Sequence, residues 1–306
     1  MKVYCLPEPT PAERDLINQL GGDSSEAGAH WRVFPNGELF VRVDKPEIST
    51  LVIGRTRPPS DDLLRTLLLV DTLQREGARD ITVVIPYFGY SRQDRQVAPG
   101  DSVASELVLK ALAAAGATRV VTVDMHSDRV TSISPIPVTN VPAVEKLAAR
   151  IRQENLPPGT TILSPDKGGV SRAERFSALL GTNVQVAWME KKRLESGAVA
   201  ITQVHGELNG HTAVIVDDIV DTGSTIAQAT NLLRDRGYTD IYLAVTHGCF
   251  SGVADVVIGD LGFKKIFVTD TVELPAKAQE LPGLQMVRLQ AEIAVATAAA
   301  IKAKKP

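Results

Sequence analysis

Short β-branched runs alternate along the chain with longer segments whose apolar residues recur at helical spacing. The pattern predicts strands at residues 80–85, 120–123, 161–163, 213–216 and 241–245. Helices are predicted at 101–115, 170–180 and 225–236; Asp101 or Ser102 would cap the first, and Gly116 would end it. Strands and helices that alternate in this way are typical of parallel α/β sheets, in which ligands bind beyond the carboxyl ends of the strands.

The two halves of the chain resemble a weak internal duplication, each a small α/β unit with acidic residues after its strands. We place the border near Pro142, which predicts an N-terminal domain at 1–141 and a C-terminal domain at 142–288. The alanine-rich tail from Leu289 to Lys304 predicts a helix with an apolar stripe. Because such a stripe must be covered, we expect segment 289–306 to pack on the N-terminal domain.

The composition is that of a globular protein without an excess of positive charge. Hydrophobic residues make up 44% of the 306 positions and charged residues 23%, which argues against a disordered or collagen-like chain. The net charge of −3 disfavours nucleic acid as the main partner, although local cations and amides can still hold a phosphate. No run approaches the roughly 20 apolar residues of a membrane span. Cys5 and Cys249 form neither a disulfide framework nor a metal cluster, so a cytoplasmic protein without a membrane partner is expected.

The most informative segment is an apolar strand that leads into two acids and then into a small polar turn. Asp217 and Asp218 follow the strand, and Asp221-Thr-Gly-Ser-Thr225 opens the next helix. Backbone N–H groups at a helix N-terminus converge on an anion, Gly223 allows close approach, and Thr222, Ser224 and Thr225 add hydroxyl donors. Because carboxylates accept hydrogen bonds from vicinal hydroxyls, turn and acid pair together predict a ribose 5-phosphate site. A helix cap beside a solvated strand end is the alternative interpretation.

This segment resembles the phosphoribosyl diphosphate (PRPP) fingerprint of the type I phosphoribosyltransferase fold. Two enzyme classes share that fingerprint: transferases that consume PRPP, and PRPP synthetases (ribose-phosphate pyrophosphokinases), which make it. The resemblance implies an α/β protein of two similar type I phosphoribosyltransferase-like domains, each with a mainly parallel sheet flanked by helices.

A second segment separates the two classes. Pro86-Tyr-Phe-Gly-Tyr-Ser-Arg-Gln-Asp-Arg95 closely resembles the synthetase loop that contacts the phosphates of ATP, with Arg92 and Gln93 at the contact positions. A guanidinium forks onto phosphate oxygens, and the amide adds a neutral donor. A simple transferase would lack this loop, so the synthetase interpretation is favoured.

A third segment, Phe34-Pro-Asn-Gly-Glu38, resembles the synthetase segment that holds adenine. The resemblance implies that Phe34 stacks on the base and that Asn36, Gly37 and Glu38 line the same ATP site. In the family this segment comes from a neighbouring subunit, which implies a homo-oligomer with shared ATP sites. A plain Asn-Gly turn between two strands is the commoner meaning of such a dipeptide.

Three further segments match the family's metal and catalytic segments. Val123-Asp-Met-His126 and Ser164-Pro-Asp-Lys-Gly-Gly-Val-Ser-Arg-Ala173 place His126 and Asp166 at the metal positions. Mg²⁺ prefers oxygen ligands, so Asp166 is the natural ligand, and an outer-shell or phosphate-contact role for His126 is equally compatible. Glu190-Lys-Lys-Arg193 follows a predicted strand at 184–188 and places Lys191 and Arg193 on the family's catalytic pair. Residues 194–208 have little helical pattern, which fits a closing flap.

The resemblance implies that the chain transfers the pyrophosphoryl group of MgATP to the 1-hydroxyl of ribose 5-phosphate, which yields PRPP and AMP. Arg193, Asp217, Asp218 and the 221–225 turn would bind the sugar phosphate. The two rival interpretations are a PRPP-consuming phosphoribosyltransferase and a non-catalytic, synthetase-like regulatory subunit. The residues leave the proton acceptor open.

Two segments depart from the family pattern. After Arg95 the usual basic residues are missing, and Glu106 stands where the family has Lys. After His126 the chain reads Ser127-Asp-Arg-Val-Thr-Ser-Ile-Ser134 in place of the usual segment. Because these regions build regulatory and assembly surfaces in the phosphate-activated class, we predict a differently regulated branch. Phosphate activation, ADP inhibition and hexamer formation need not carry over to it.

Overall fold

The computed structural model describes residues 1–22, 28–181, 184–193 and 199–303, with the backbone alone at 191–193 and 199–201. The chain forms two compact units. The first consists of Met1–Pro142 together with Gln290–Pro306, and the second is Ala143–Leu289.

The first unit is built on a five-stranded parallel sheet with the order β1-β4-β5-β6-β7 and a separate antiparallel hairpin, β2-β3. Its elements up to Pro142 are β1 (Lys2–Cys5), α1 (Pro11–Gln19), β2 (Ala29–Val33), β3 (Leu39–Val43), β4 (Ser49–Ile53), α2 (Asp61–Arg75), β5 (Asp80–Ile85), α3 (Ala104–Ala115), β6 (Arg119–Val123), α4 (Asp128–Ser132) and β7 (Val138–Val141). The β5 run is buried from Ile81 to Ile85, as expected for a parallel strand covered on both faces.

The second unit is built on a seven-stranded sheet with the order β10-β9-β8-β11-β12-β13-β14. All neighbouring strands are parallel except β9 and β10, which form an antiparallel hairpin. Its elements are α5 (Val144–Arg152), β8 (Thr161–Ser164), α6 (Val170–Leu180), β9 (Gln185–Arg193), β10 (Val199–His205), β11 (Thr212–Val220), α7 (Ser224–Asp235), β12 (Asp240–Gly248), α8 (Ala254–Asp260), β13 (Lys265–Thr269), α9 (Ala276–Gln279) and β14 (Leu284–Val287).

The last helix, α10 (Gln290–Lys302), belongs to the first unit, where it packs on α1, β6 and β7. Its buried positions include Ile293 and Thr297. The predicted α/β class with two mainly parallel sheets is confirmed. Within the described ranges, no helix is long and apolar enough to cross a membrane.

The predicted start of α3 is wrong. The helix begins at Ala104, and neither Asp101 nor Ser102 caps it. The Asp101 carboxylate instead accepts the backbone N–H groups of Val97 and Ala98, and the Ser102 hydroxyl donates to Gln93 Oε1 at 2.9 Å. Side chains that bond their own loop in this way favour a turn over a helix start. The predicted end at Gly116 is correct, since Gly116 has φ 111°.

Two strands continue further than the sequence pattern predicts. The polar residues Asp217 and Asp218 lie inside β11, which runs on to Val220, and do not follow the strand. Likewise Glu190–Arg193 belongs to β9 and does not follow it. The stretch after Arg193, which has little helical pattern in its sequence, contains β10; residues 194–198 of that stretch lie outside the described residues.

Candidate active site

In the first unit, the carboxyl ends of β4 and β5 are joined at Gly89. Its N–H donates to Thr56 Oγ1 at 2.8 Å. A Cβ at position 89 would lie 2.3 Å from the Thr56 carbonyl oxygen, so only glycine permits this contact. The loop that carries Arg92 and Gln93 is therefore held against the end of β4. Sequence reasoning missed this role of Gly89.

Arg92 and Gln93 lie exposed on that loop. The Gln93 backbone carbonyl accepts from Ser105 N at 3.3 Å and from Ser105 Oγ at 3.0 Å, which ties the loop to the first turn of α3. The preceding Tyr90 has φ 67°, a conformation that costs a bulky residue energy and persists only when its surroundings enforce it.

Asp94, next along the loop, is a buried link between the loop and the segment after β6. Its carboxylate accepts from Arg95 Nε and Nη2, both at 2.9 Å, and from Ser127 Oγ at 2.7 Å. Its carbonyl accepts from Arg129 Nε at 3.1 Å. The hydrogen bonds from Arg95 and then from Ser127, with a smaller contribution from the charge of His126, hold the pKa of Asp94 below its ordinary value.

His126 lies exposed two residues beyond a strained position. Asp124, immediately after β6, has φ 35°, and its N–H bonds the Val141 carbonyl at 3.0 Å. Met125 N donates to Asn140 Oδ1 at 2.9 Å, so the edge of β7 holds the backbone that presents His126. Strained non-glycine residues in the segments that follow two neighbouring strands, Tyr90 after β5 and Asp124 after β6, are typical of functional sites.

The segment 34–38 forms the turn of the β2-β3 hairpin. Phe34 N bonds the Glu38 carbonyl at 2.8 Å, Asn36 Oδ1 accepts from Glu38 N at 3.2 Å, and Gly37 has φ 90°. The Arg32 guanidinium carbon lies 4.4 Å from the centroid of the Phe34 ring. The structure therefore contains the turn, and the adenine role of these residues stays a prediction.

In the second unit, the acid pair lies at the carboxyl end of β11. Asp217 is 8% exposed and Asp218 is 6% exposed, and the Asp218 N–H donates to Asp217 Oδ1 at 2.9 Å. Arg172, on the first turn of α6, places Nη1 3.6 Å from one carboxylate oxygen of each acid. The pair is thus compensated by a shared guanidinium.

Burial, and next the charge of Asp218, raise the pKa of Asp217 well above its ordinary value, although Arg172 acts in the opposite direction. Sequence reasoning assigned no role to Arg172. The signal was available, because Arg172 lies within the 164–173 segment that resembles the family, but its contact with β11 depends on tertiary packing.

The polar turn after β11 has the expected glycine with positive φ at the N-terminus of a helix. Gly223 caps α7 with φ 82°, and the Thr222 and Ser224 hydroxyls lie 3.2 Å apart. A Cβ at Gly223 would lie 3.2 Å from Val257 Cγ1. The N-cap residue, Gly223, has no side chain with which to cap this helix, so the first-turn N–H groups are suited to an anion. The helix begins at Ser224, one residue before the predicted start.

Asp166 lies exposed in the loop after β8, in the same unit as the acid pair. Its Oδ1 accepts from Gly169 N at 3.1 Å, and its charge contributes to the raised pKa of Asp217. The described residues contain no group of three or more His, Cys, Asp or Glu side chains that could hold a metal. One exposed carboxylate fits Mg²⁺ bound mainly by water and phosphate oxygens, which is how proteins usually hold this ion.

The structure describes only the backbone of the predicted catalytic pair. Lys191 and Arg193 lie in the last part of β9, paired with Ile201 and Val199 of β10. The side chains of both lie outside the described residues.

The comparisons with known proteins cover both units. Residues 8–116 match the family model for the N-terminal domain of ribose phosphate pyrophosphokinase, and residues 138–271 match the phosphoribosyl transferase domain. A ribose-phosphate pyrophosphokinase of Thermotoga maritima is 33% identical over 97% of this chain and 97% of its own length. The chain belongs to the ribose-phosphate pyrophosphokinase family.

Two further similar proteins support the same family. The ribose-phosphate pyrophosphokinase of Maricaulis maris is 34% identical over 90% of this chain and 89% of its own length. The crystal structure of phosphoribosylpyrophosphate synthetase from Mycobacterium smegmatis matches 99% of both chains with a TM-score of 0.85 and 29% identity. Membership of the ribose-phosphate pyrophosphokinase family confirms the predicted family and enzyme class and favours neither rival interpretation.

Proposed function

We propose that the protein transfers the pyrophosphoryl group of MgATP to the 1-hydroxyl of ribose 5-phosphate and so makes PRPP for nucleotide biosynthesis. The observation that carries the proposal is the buried acid pair beside the Gly223 turn, in a chain that also carries the synthetase nucleotide loop in its first unit. A transferase that consumes PRPP has no need of that loop.

Ribose 5-phosphate binds in the second unit. The N–H groups of the first turn of α7 hold the phosphate, and the hydroxyls of Thr222, Ser224 and Thr225 complete its shell. The Asp217 and Asp218 carboxylates accept hydrogen bonds from the ribose hydroxyls, while Asp221 shapes the start of the turn. Arg172 keeps the acid pair in place, since it lies 3.6 Å from both.

ATP binds in the first unit through Arg92 and Gln93, whose loop is held in place by Gly89 and Asp94. The adenine stacks on Phe34 of a neighbouring subunit, with Asn36, Gly37 and Glu38 beside it, so the active form is a homo-oligomer. His126 in the first unit and Asp166 in the second would each be a metal position, and Mg²⁺ would supply charge neutralisation on the phosphates. The two free cysteines fit a cytoplasmic protein.

In the reaction, the ribose 1-hydroxyl oxygen forms a bond to the β-phosphorus of ATP. The bond from that phosphorus to the oxygen shared with the α-phosphate breaks, and AMP leaves with that oxygen. Lys191 and Arg193 stabilise the charge that develops on the transferring group. Positioning and charge neutralisation therefore carry the catalysis, since the protein forms no covalent bond to the substrate.

The experiment mixes the purified protein with ribose 5-phosphate and MgATP in a phosphate-free buffer and follows the products by phosphorus NMR. PRPP and AMP should appear together, and Lys191→Ala should lower the rate by about 100-fold or more, the cost typical of lost transition-state stabilisation. A wild-type protein that binds both substrates but forms no PRPP, with or without added phosphate, would instead favour the regulatory subunit.

A further inference from the structure

An aromatic stack lies beside the catalytic segment of β9. The Trp188 and His205 rings have centroids 3.9 Å apart and planes 7° apart. The two residues lie directly opposite each other, Trp188 on β9 and His205 on β10. Cross-strand aromatic pairs of this kind stabilise the register of the two strands that they join.

The His205 imidazole also contacts Glu190, the residue before Lys191 on β9. His205 Nε2 lies 2.9 Å from Glu190 Oε2, within hydrogen-bond distance. Trp188 and Glu190 are two positions apart on one strand, so they share a face of the sheet. His205 therefore contacts both residues of that face and links the two strands at two points.

A β-bulge lies immediately beyond this link. Glu190 pairs with Gln203 and Lys191 pairs with Ile201, so Thr202 is an extra residue between them. The Thr202 hydroxyl donates to the Glu190 carbonyl at 3.2 Å. Bulges re-aim the strand that follows them, and a slip of one residue moves every side chain beyond it to the other face.

Burial of apolar surface does not account for the cluster. The opposite face of β9 already supplies the core with Ala187 and Met189, both fully buried. Trp188 and His205 are only half-buried, and Glu190 is exposed. The contacts of the cluster instead fix the pairing register of the β9-β10 hairpin.

We propose that Trp188, Glu190 and His205 form a positioning cluster that pins the bulge at Thr202 and so holds the strand segment of Lys191 and Arg193 in register. Its effect on catalysis rests on the proposed function, because Lys191 is taken there as a catalytic residue. Without His205 the bulge is free to migrate, and the segment from Lys191 onward loses its fixed pairing.

The test compares His205→Ala with the matched control His211→Ala, which removes an exposed histidine of the same unit. His205→Ala should lower kcat about 10- to 100-fold, the cost of a catalytic group misplaced by about 1 Å. KM for ATP and for ribose 5-phosphate should stay within about twofold of the wild type, because the cluster acts through a catalytic group and not through binding. His211→Ala should retain wild-type kinetics.

A double variant and hydrogen exchange supply two further readouts. In single-turnover assays, His205→Ala should add little to the loss of rate already caused by Lys191→Ala, because both changes remove the contribution of Lys191 to catalysis. Amides of 186–190 and 203–206 should exchange faster in His205→Ala, while those of β11 and α7 should not change.

An unchanged kcat in His205→Ala, a full multiplicative loss in the double variant, or unchanged exchange in the hairpin would each overturn the proposal. Should the wild-type protein form no PRPP, the proposed function fails by itself. The exchange comparison still decides in that case whether the cluster holds the register.

Discussion

Among single residues, Gly223 combines a backbone requirement with a proposed ligand-binding position. Its φ of 82° disfavours a side chain there, and so does Val257, whose Cγ1 would lie 3.2 Å from an added Cβ. Gly223→Ala should lower the free energy of unfolding by about 1 kcal/mol and raise KM for ribose 5-phosphate by about tenfold or more as the phosphate turn shifts.

The matched control is Gly237→Ala, at a glycine with φ 86° and no atom within 4 Å of an added Cβ. Its stability loss in denaturant titrations should be similar, and its KM should be that of the wild type. An unchanged KM in Gly223→Ala would contradict the placement of the sugar phosphate.

The contribution of Asp217 to the stability of the fold depends on pH, and the sign of that dependence follows from its raised pKa. Burial and then Asp218 disfavour the ionised form, so the folded state is penalised as pH rises above the unfolded pKa of about 3.9. Asp217→Asn removes that penalty. The variant should match the wild-type Tm in acid, and its advantage should grow as pH rises through the folded pKa of Asp217.

Thermal unfolding between pH 4 and pH 8 measures this effect, with Asp235→Asn as the control at an exposed aspartate of the same unit. The same Asp217→Asn variant should lose at least about tenfold in kcat/KM for ribose 5-phosphate, because a charged hydrogen bond to the sugar is lost. A variant less stable than the wild type at pH 7 would contradict the assigned cause.

At the scale of elements, Asp94 and Ser127 join the loop proposed to bind ATP (residues 86–95, the nucleotide loop) to the N-terminus of α4. Ser127→Ala removes the 2.7 Å bond to the Asp94 carboxylate. KM for ATP should rise by about threefold to tenfold, less than the full cost of a hydrogen bond to a charged group because the bond acts on ATP only through the loop, while KM for ribose 5-phosphate stays constant.

Ser132→Ala is the control within the same helix, since its exposed hydroxyl bonds only the Arg129 carbonyl at 2.8 Å among the described contacts. Initial-rate kinetics with each substrate varied in turn measure the difference. Equal ATP constants in Ser127→Ala and Ser132→Ala would show that the link does not support the nucleotide loop.

The elements also show what a sequence pattern can and cannot predict. The bounds of α6 at Val170 and Leu180 were predicted correctly, because apolar spacing and flanking glycines are local signals. The end of β11 was not predicted correctly, because a pair of polar residues after an apolar run is typical of the end of a strand. Asp217 and Asp218 stay inside β11 since Arg172, distant in the chain, compensates their burial.

For the whole molecule, the predicted two-unit α/β fold and the family both followed from segments whose chemistry depends on residue order. Relatives that match nearly the whole chain, such as the ribose-phosphate pyrophosphokinase of Thermotoga maritima, confirm the family. The contacts that hold the site residues in place could not be predicted in the same way. The link from Asp94 to Ser127 and the stack of Trp188 on His205 join segments separated along the chain, and no local pattern encodes such pairs.

Pyrophosphoryl transfer from ATP to ribose 5-phosphate moves the β-phosphorus of ATP into the product, so the fate of that atom distinguishes it from other transfers. We would supply ATP labelled with ³²P at the β-phosphate, together with Mg²⁺ and ribose 5-phosphate, and separate the products. We expect the label to enter PRPP and AMP to be unlabelled. Label recovered in ADP would mean transfer of the γ-phosphoryl group alone, and would rule out pyrophosphoryl transfer.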